Sequence, residues 1–502
     1  MSFHPPVGEI AFALDRMVAA PALHDVERFA DATPETRDAA FGEIARLCAE
    51  VLAPLNAPGD RAHARLENGV VRAPQGFAAA YAALGSGGWI GLAADPAHGG
   101  LGLPQTFAVI AQEMMAGANL SLANAALLTN GQIEALETHA PDWIRALYLP
   151  RLIAGTWTGT MNLTEPQAGS DVGALTTRAE PDGAGAFRLT GQKIYITWGD
   201  HDLAENVCHL VLARLPGAPA GARGVSLFLA PKLIPDAEGR AGARNALRVV
   251  SLERKMGLNA CPTCVMAYEG ATGWLIGEAN RGMAAMFTMM NNARLNVAAQ
   301  GVGVAEAAFR KALAYARERR QGRTPLGDGP IEGHADVRRM LLEMRTQTMA
   351  ARAVAYACGV ALDLARAAPH GDFWAARGAF LTPIAKAFCT DVGCAVASLG
   401  VQVHGGLGFC EDGGAAQLMR DVRITPIYEG TNGVQAMDLV GRKLGDGGAA
   451  ARALLAEIAA VPGMAAAHAA LARATDWMLA AAPLERQAGA ADYLTAWGLT
   501  LG

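Results

Sequence analysis

The sequence predicts an α+β multidomain fold: an N-terminal helical domain over residues 1–158, a middle β barrel or sandwich over 159–275, a C-terminal four-helix bundle over 276–445, and a partial helical extension over 446–502. Three observations carry this reading. The chain has 502 residues, more than a single hydrophobic core organises. Near Trp157 the helical spacing of apolar residues gives way to short threonine-rich and apolar runs. After Gly282 the helical spacing returns.

Composition narrows the function classes. A hydrophobic content of 52% with 18% charged residues suits a buried core and excludes disorder. A net charge of -5 leaves no electrostatic footprint for nucleic acid. Met1–Ala20 carries Glu9 and Asp15 and lacks a basic start before an apolar run, so no signal peptide is expected. The charge-free runs Met114–Ile133 and Val392–Cys410 contain too many polar or glycine positions for a membrane span. A soluble, cytoplasmic protein is expected. Eight cysteines without framework spacing suit a reducing compartment. Cys261-Pro262-Thr263-Cys264 has redox spacing, but it runs on into Val265-Met266-Ala267-Tyr268, which reads as a strand, and no second pair completes a metal site. No metal is expected.

In chain order, Phe41, Ile44, Ala45, Cys48 and Val51 form one helical stripe, and Phe107, Ile110, Ala111 and Met114 another. Pro54, Pro58, Pro96 and Pro104 punctuate loops. The cluster Gly99-Gly100-Leu101-Gly102 lacks a following basic residue and reads as a plain loop. Strands are expected at Trp157–Leu163, Phe187–Leu189, Gln192–Thr197, Val207–Ala213, Val225–Leu229 and Arg248–Glu253, separated by glycine and proline. A long helix then runs from Gly282 to Arg320, stopped by basic residues and Gly322. A second helix starts near His334. A third covers about Phe380–Leu399, with Pro383 tolerated in its first turn. The helix after Gly433 completes the bundle. Beyond Gly445, helical patches at Leu454–Ile458 and Trp477–Ala481 mark the extension, whose apolar pattern reaches Leu501 without a capped ending and is therefore expected to be incomplete.

The chemistry concentrates in two stretches. Pro426-Ile427-Tyr428-Glu429-Gly430-Thr431-Asn432-Gly433 sets one carboxylate in a turn at the edge of a helical core, where burial raises its pKa toward that of a general base. The alternative is an ordinary loop glutamate before a helix. Far upstream lies Met161-Asn162-Leu163-Thr164-Glu165-Pro166-Gln167-Ala168-Gly169-Ser170-Asp171, whose hydroxyls and glycine suit close contact with a flat polar cofactor. Read alone, these are also ordinary turn and strand residues.

Together the two stretches resemble the flavin-dependent acyl-CoA dehydrogenases, whose T-E-P-x-A-G-S-D loop and late Y-E-G-T carboxylate occur in this order. The likeness runs from about Gly91 to Leu444, and the longer chain resembles the branch that includes 3-(methylthio)propanoyl-CoA dehydrogenases. The resemblance implies FAD, held by Leu163, Thr164, Gly169 and Ser170, by Tyr195-Ile196-Thr197, by Gln402, Gly405 and Gly406, and by Thr431. Many relatives carry tryptophan where Tyr195 stands. Arg319 matches an arginine that reaches the cofactor of a neighbouring subunit, so a homodimer or homotetramer is implied; alone, Arg319 reads as a surface cation at a helix end. Many relatives then carry an aromatic-glycine pair where Gly322-Arg323 stands here.

Glu429 matches the base that takes the proton beside the thioester while flavin accepts hydride from the next carbon. The implied thioester donors are the Glu429 amide and a ribityl hydroxyl. Ser170, Arg294, Tyr428 and Gly430 are the implied substrate contacts, although Arg294 reads equally as a structural ion-pair partner. In some relatives the base sits at the position matched by Ala293, which cannot serve. The implied reaction converts an acyl-CoA to the trans-2-enoyl-CoA and passes electrons to an electron-transfer flavoprotein. The alternatives are an acyl-CoA oxidase and a non-catalytic helical scaffold. His404 reads as packing. Gly301-Val302-Gly303 loosely mimics a dinucleotide fingerprint, but no strand follows it.

Overall fold

The computed structural model describes residues 3–18, 23–367 and 369–502. Within Met1–Ala20, residues 1, 2, 19 and 20 lie outside the described ones, and Val7–Phe12 is helical. The principal elements begin with helices α1 (Pro34–Leu47), α2 (Phe77–Ser86), α3 (Gln105–His139) and α4 (Asp142–Ile153). Seven strands follow: β1 (Trp157–Asn162), β2 (Arg178–Gly183), β3 (Ala186–Thr197), β4 (Asn206–Arg214), β5 (Val225–Pro231), β6 (Leu247–Leu252) and β7 (Thr263–Ile276). The remaining helices are α5 (Gly282–Glu318), α6 (Ala335–Ala367), α7 (Gly371–His404), α8 (Ala415–Val422), α9 (Asn432–Asp438), α10 (Ala449–Ala459), α11 (Ala465–Ala480) and α12 (Ala490–Leu501). Contacts group the chain into a β unit (Val51–Leu103 and Asn119–Ala293) and a helical unit (Met1–Glu50, Pro104–Ala118 and Arg294–Gly502). One division falls in α3, where Asn119 leaves helical geometry at φ −161° and ψ 95°.

In the β unit, five strands close a ring in the order β7, β3, β2, β4, β5 and back to β7. Closure leaves none of the five with an open edge. The one weak seam is the parallel contact of β2 with β4 through Arg178 and Arg214. β6 pairs antiparallel with β7, and β1 pairs parallel with β4. The sequence carries this because Val207–Ala213 and Val225–Leu229 are nearly unbroken apolar runs, and both are fully buried. Phe228, Leu189, Ile196, Val211 and Tyr268 fill the interior. The two runs expected at 187–189 and 192–197 are one strand, β3, carried past Gly191. β7 is longer than the fragment at Val265–Tyr268 that the sequence suggests. Cys261 and Cys264 are buried and not joined to each other by a disulfide.

In the helical unit, α6 and α7 pack along their lengths against each other and the later part of α5. The glycines of the dinucleotide look-alike serve this packing. A Cβ on Gly301 would lie 2.3 Å from the Cys389 carbonyl oxygen, and one on Gly303 would lie 2.2 Å from that of Glu113. Both are therefore required for close helix approach, within unbroken helix.

Two buried charge clusters here are satisfied locally. Arg352 donates to Glu113 at 2.7 and 2.9 Å and to Glu306 at 2.7 Å, and Tyr356 donates to Glu113 at 2.6 Å. Asp363 accepts from the backbone N–H groups of Gln105 and Thr106 at 2.7 and 2.9 Å, capping the start of α3. Both α6 and α7 are long and apolar enough to cross a membrane, but most of each apolar window is buried in the fold.

Two expectations are corrected. The third bundle helix begins at Gly371, so Pro383 lies well inside it and not in its first turn. The missing proline N–H is absorbed by a fully packed helix, with the Thr382 hydroxyl donating back to Gly378 at 2.8 Å. The helix after Gly433 is short: α9 ends at Asp438 and runs into a single wide turn, Leu439–Lys443. The extension belongs to the helical unit, where Trp497 is buried edge-on against Phe380 with centroids 5.0 Å apart.

Candidate active site

In the β unit, the loop after β1 is built on Glu165. Its carboxylate accepts from Thr176 and Thr177 backbone N–H groups at 2.7 and 3.0 Å, from both threonine hydroxyls, from Gln167, and from Lys193 Nζ at 2.8 Å. Lys193 also donates to the Leu163 carbonyl at 3.0 Å. Burial alone raises the Glu165 carboxyl, but Lys193 and the hydrogen bonds outweigh it and bring it to about 2. Burial lowers Lys193 to about 8, against the pull of Glu165. The loop is thus pinned from beneath, which leaves its upper face free.

That face carries the residues singled out in the sequence. Ile194 N–H donates to the Thr164 carbonyl at 2.9 Å, so the loop and the Tyr195-Ile196-Thr197 segment lie side by side. Leu163, Thr164 and Thr197 are half-buried, and Gly169 and Ser170 are exposed. Tyr195 is 62% exposed at φ 59°, a left-handed conformation that turns its ring outward. Among the described residues, none bonds the hydroxyls of Thr164, Ser170 or Thr197. The Ile196 side chain is 2% exposed and packs into the barrel core.

In the helical unit, the turn before α9 presents Glu429 at φ 57° and Gly430 at φ 85°. Thr431 caps α9, its hydroxyl accepting from Val434 N–H at 3.2 Å. The Glu429 carbonyl accepts from Arg294 Nε and Gln435 Nε2, each at 3.4 Å. Arg294, buried on α5, also faces Asp438 at 4.0 Å. Tyr428 donates to Gln300. Asn432 reaches Ala387, Thr390 and Asp391 on α7 and accepts from Lys386 Nζ at 2.9 Å.

Burial pushes the Glu429 carboxyl up to about 7, opposed by Arg294 and Lys386. Among the described residues, neither this carboxylate nor the Glu429 backbone N–H has a hydrogen-bond partner. A half-buried carboxyl near neutrality beside an unspent amide can take a proton and stabilise a nearby oxyanion.

Arg319, Gln402, Gly405 and Gly406 gather elsewhere. Tyr315 stacks on His404 with centroids 4.5 Å apart, setting the ends of α5 and α7 together. Gln402 lies sixteen residues beyond Lys386 on α7, about 24 Å of helix from the Glu429 turn. Exposed Arg319 has no acidic partner among the described residues. His404 is stacked and bonded to the Gly400 carbonyl at 2.7 Å, a packing role.

Lys386, Lys193 and Gln435 were not singled out from the sequence. Lys386 had a signal: it is the one cation in the apolar run Ile384-Ala385-Lys386-Ala387-Phe388.

A helical segment leading into a closed β barrel, a helical bundle and a near-neutral carboxylate in a Y-E-G-T turn define a class of acyl-thioester oxidoreductase. The chain belongs to the acyl-CoA dehydrogenase family: it matches the family's N-terminal domain over residues 34–156, its middle domain over 160–271 and its C-terminal domain over 280–444. It is therefore an oxidoreductase acting on acyl-CoA. It is 45% identical to 3-methylmercaptopropionyl-CoA dehydrogenase of Ruegeria pomeroyi, across 99% of this chain and 89% of that protein. Its fold resembles butyryl-CoA dehydrogenase of Megasphaera elsdenii with a TM-score of 0.67, at 25% identity over 81% of this chain and 97% of that one. Across 100% of this chain and 87% of the other it resembles Caenorhabditis elegans ACDH-11 in complex with C11-CoA, with a TM-score of 0.78 at 21% identity, a likeness of fold.

Proposed function

We propose that the protein is an FAD-dependent dehydrogenase that converts an acyl-CoA to its trans-2-enoyl-CoA, with Glu429 as the base. The observation that carries this is the Glu429 turn: a carboxyl held near pH 7 that, among the described residues, has no hydrogen-bond partner, beside its own N–H that likewise has none. The carboxylate takes the proton from the carbon next to the thioester, and the Glu429 N–H donates to the thioester oxygen as charge develops there. FAD, when bound, supplies the acceptor for the hydride leaving the next carbon. Arg294 fixes the turn through the Glu429 carbonyl. Gly430, with no side chain, leaves room for the acyl group, and Tyr428 is a further candidate substrate contact in this unit; Ser170 is a candidate contact within the β unit.

The residues present suit a flavin. In the β unit, the free hydroxyls of Thr164, Ser170 and Thr197 offer donors and acceptors to ring carbonyls and nitrogens, with Leu163, Gly169, Tyr195 and the Ile196 main chain around them. In the helical unit, Thr431, Gln402, Gly405 and Gly406 supply further contacts, and Arg319, which has no acidic partner among the described residues, suits a phosphate of a cofactor held by a second copy. We infer a homodimer or homotetramer on that basis. Electrons then pass to an electron-transfer flavoprotein. Eight cysteines without framework spacing support a reducing, cytoplasmic setting for the reaction. The relative from Ruegeria pomeroyi makes 3-methylmercaptopropionyl-CoA the first substrate to try.

An anaerobic absorbance titration with a panel of acyl-CoAs tests the reading. One thioester should bleach the flavin band of the parent, and Glu429→Gln should retain the band and lose the bleaching by at least about a thousandfold in rate, within the range that acid–base groups supply. Rapid peroxide formation in air would assign an oxidase instead. A colourless protein would point to a scaffold.

A further inference from the structure

We propose that Lys386 is a positioning residue for the base: its ammonium, seated on Asn432 at the first turn of α9, clamps the Glu429 turn to α7 and sets a cation beside the carboxyl. The inference rests on the reading of Glu429 as the base. Lys386 is fully buried in the middle of α7, with Asn432 Oδ1 2.9 Å from its Nζ. A buried ammonium is retained against a large desolvation cost only where its charge is used or compensated. Its compensation is incomplete. The facing groups are Glu429 from the turn, Asp391 and Cys394 from α7 itself, and Arg294 from α5, which repels it. None of the acids forms a salt bridge with it among the described residues.

The geometry explains why it is there. Asn432 spends its amide nitrogen on Ala387 at 3.2 Å, Thr390 at 3.1 Å and Asp391 at 2.8 Å, and its backbone N–H on Pro426 at 2.9 Å. Its carbonyl oxygen accepts from Lys386 at 2.9 Å, with the Thr390 hydroxyl a longer donor at 3.3 Å. One asparagine thus ties both ends of the turn to one face of α7, and Lys386 is the cation of that knot. Glu429, three residues earlier, is held between this knot and the Arg294 guanidinium. Burial lowers Lys386 to about 7, against Glu429 and Asp391, so the ammonium and the Glu429 carboxyl change charge over the same pH range. Its charge favours the carboxylate, and removing it raises the Glu429 pKa. Two groups that titrate together do so with values that belong to the pair.

Lys386→Met, Lys386→Arg and Asn432→Ala are compared with the parent as purified holoenzyme, using the thioester that bleaches the parent. Lys386→Met is expected to move the acidic limb of the kcat/KM profile up by about one pH unit, roughly a tenfold loss one unit below the limb. Amide hydrogen exchange in residues 427–438 should quicken while the barrel strands stay protected. Lys386→Arg, which keeps the charge, should keep the parent's limb. Asn432→Ala should loosen the same amides, and it decides the matter if Lys386→Met fails to fold. A profile of unchanged midpoint together with unchanged exchange in 427–438 overturns the inference. A parent that no thioester bleaches sinks the functional reading instead, and exchange alone then judges the clamp.

Discussion

Glu429 burdens the fold in two ways. It occupies left-handed backbone at φ 57°, a conformation that costs a non-glycine residue on the order of 1 kcal/mol. Its carboxyl is also displaced upward by burial, to about 7 from an unfolded value of about 4.3. The native state therefore holds the proton over an interval in which the unfolded chain has released it. Stability is lost as pH rises through that interval, and above pH 7 the whole burden is present. Glu429→Gln removes the charge and keeps the shape. It should melt higher than the parent at pH 8, by on the order of 1 kcal/mol or a few degrees, and the gain should vanish near pH 4. Melting curves at the two pH values check this; a variant no more stable at pH 8 would contradict the buried-carboxyl account.

At the scale of elements, close approach of helices is the governing constraint. Gly303 lies where α5 meets the Pro104–Ala118 part of α3, and a methyl group there would lie 2.2 Å from a backbone oxygen that has no freedom to rotate away. Gly303→Ala should destabilise by about 1–3 kcal/mol, read from the midpoint of denaturant unfolding. A neutral result would mean that α5 can shift. Such contacts also separate what is legible in the sequence from what is not. The barrel strands could be read because Val207–Ala213 and Val225–Leu229 announce burial by composition alone. The first turn of α7 could not, because its early residues Gly371–Arg377 are mostly exposed and lack an apolar stripe, so the helix is visible only from its buried part onward. Glu429 and the Thr164 loop were legible as paired motifs. Lys386 was not, since a lone lysine in an apolar run gives no hint of which carboxylate lies opposite it.

At the scale of the whole molecule, acid should act first on the β unit. His201 and His209 are fully buried and pushed down to about 3, chiefly by burial and then by Lys232. The unfolded chain binds a proton at each near pH 6.5, whereas the folded chain refuses both until about 3. Stability thus falls as pH drops from 6.5 toward 3, by up to about 1.4 kcal/mol per pH unit for each imidazole. Replacing both with glutamine should flatten the melting temperature between pH 6 and 4, even if the starting value is lower. An unchanged slope would assign the acid sensitivity to other groups. The carboxylate of Glu165 adds a later loss, as pH falls from about 4.3 toward 2.

The helical unit is assembled from chain segments that synthesis makes far apart in time. Pro104–Ala118 follows Met1–Glu50, with Phe107 packing on Phe41, but leaves the ribosome 176 residues before Arg294, where the rest of its unit begins (294 minus 118). At roughly 10 residues per second, Glu113 waits on the order of 20 seconds for Glu306 and longer for Arg352. The barrel, contained within residues 157–276, can close in the meantime. The nascent chain therefore carries a helix still missing its later partners while the barrel closes.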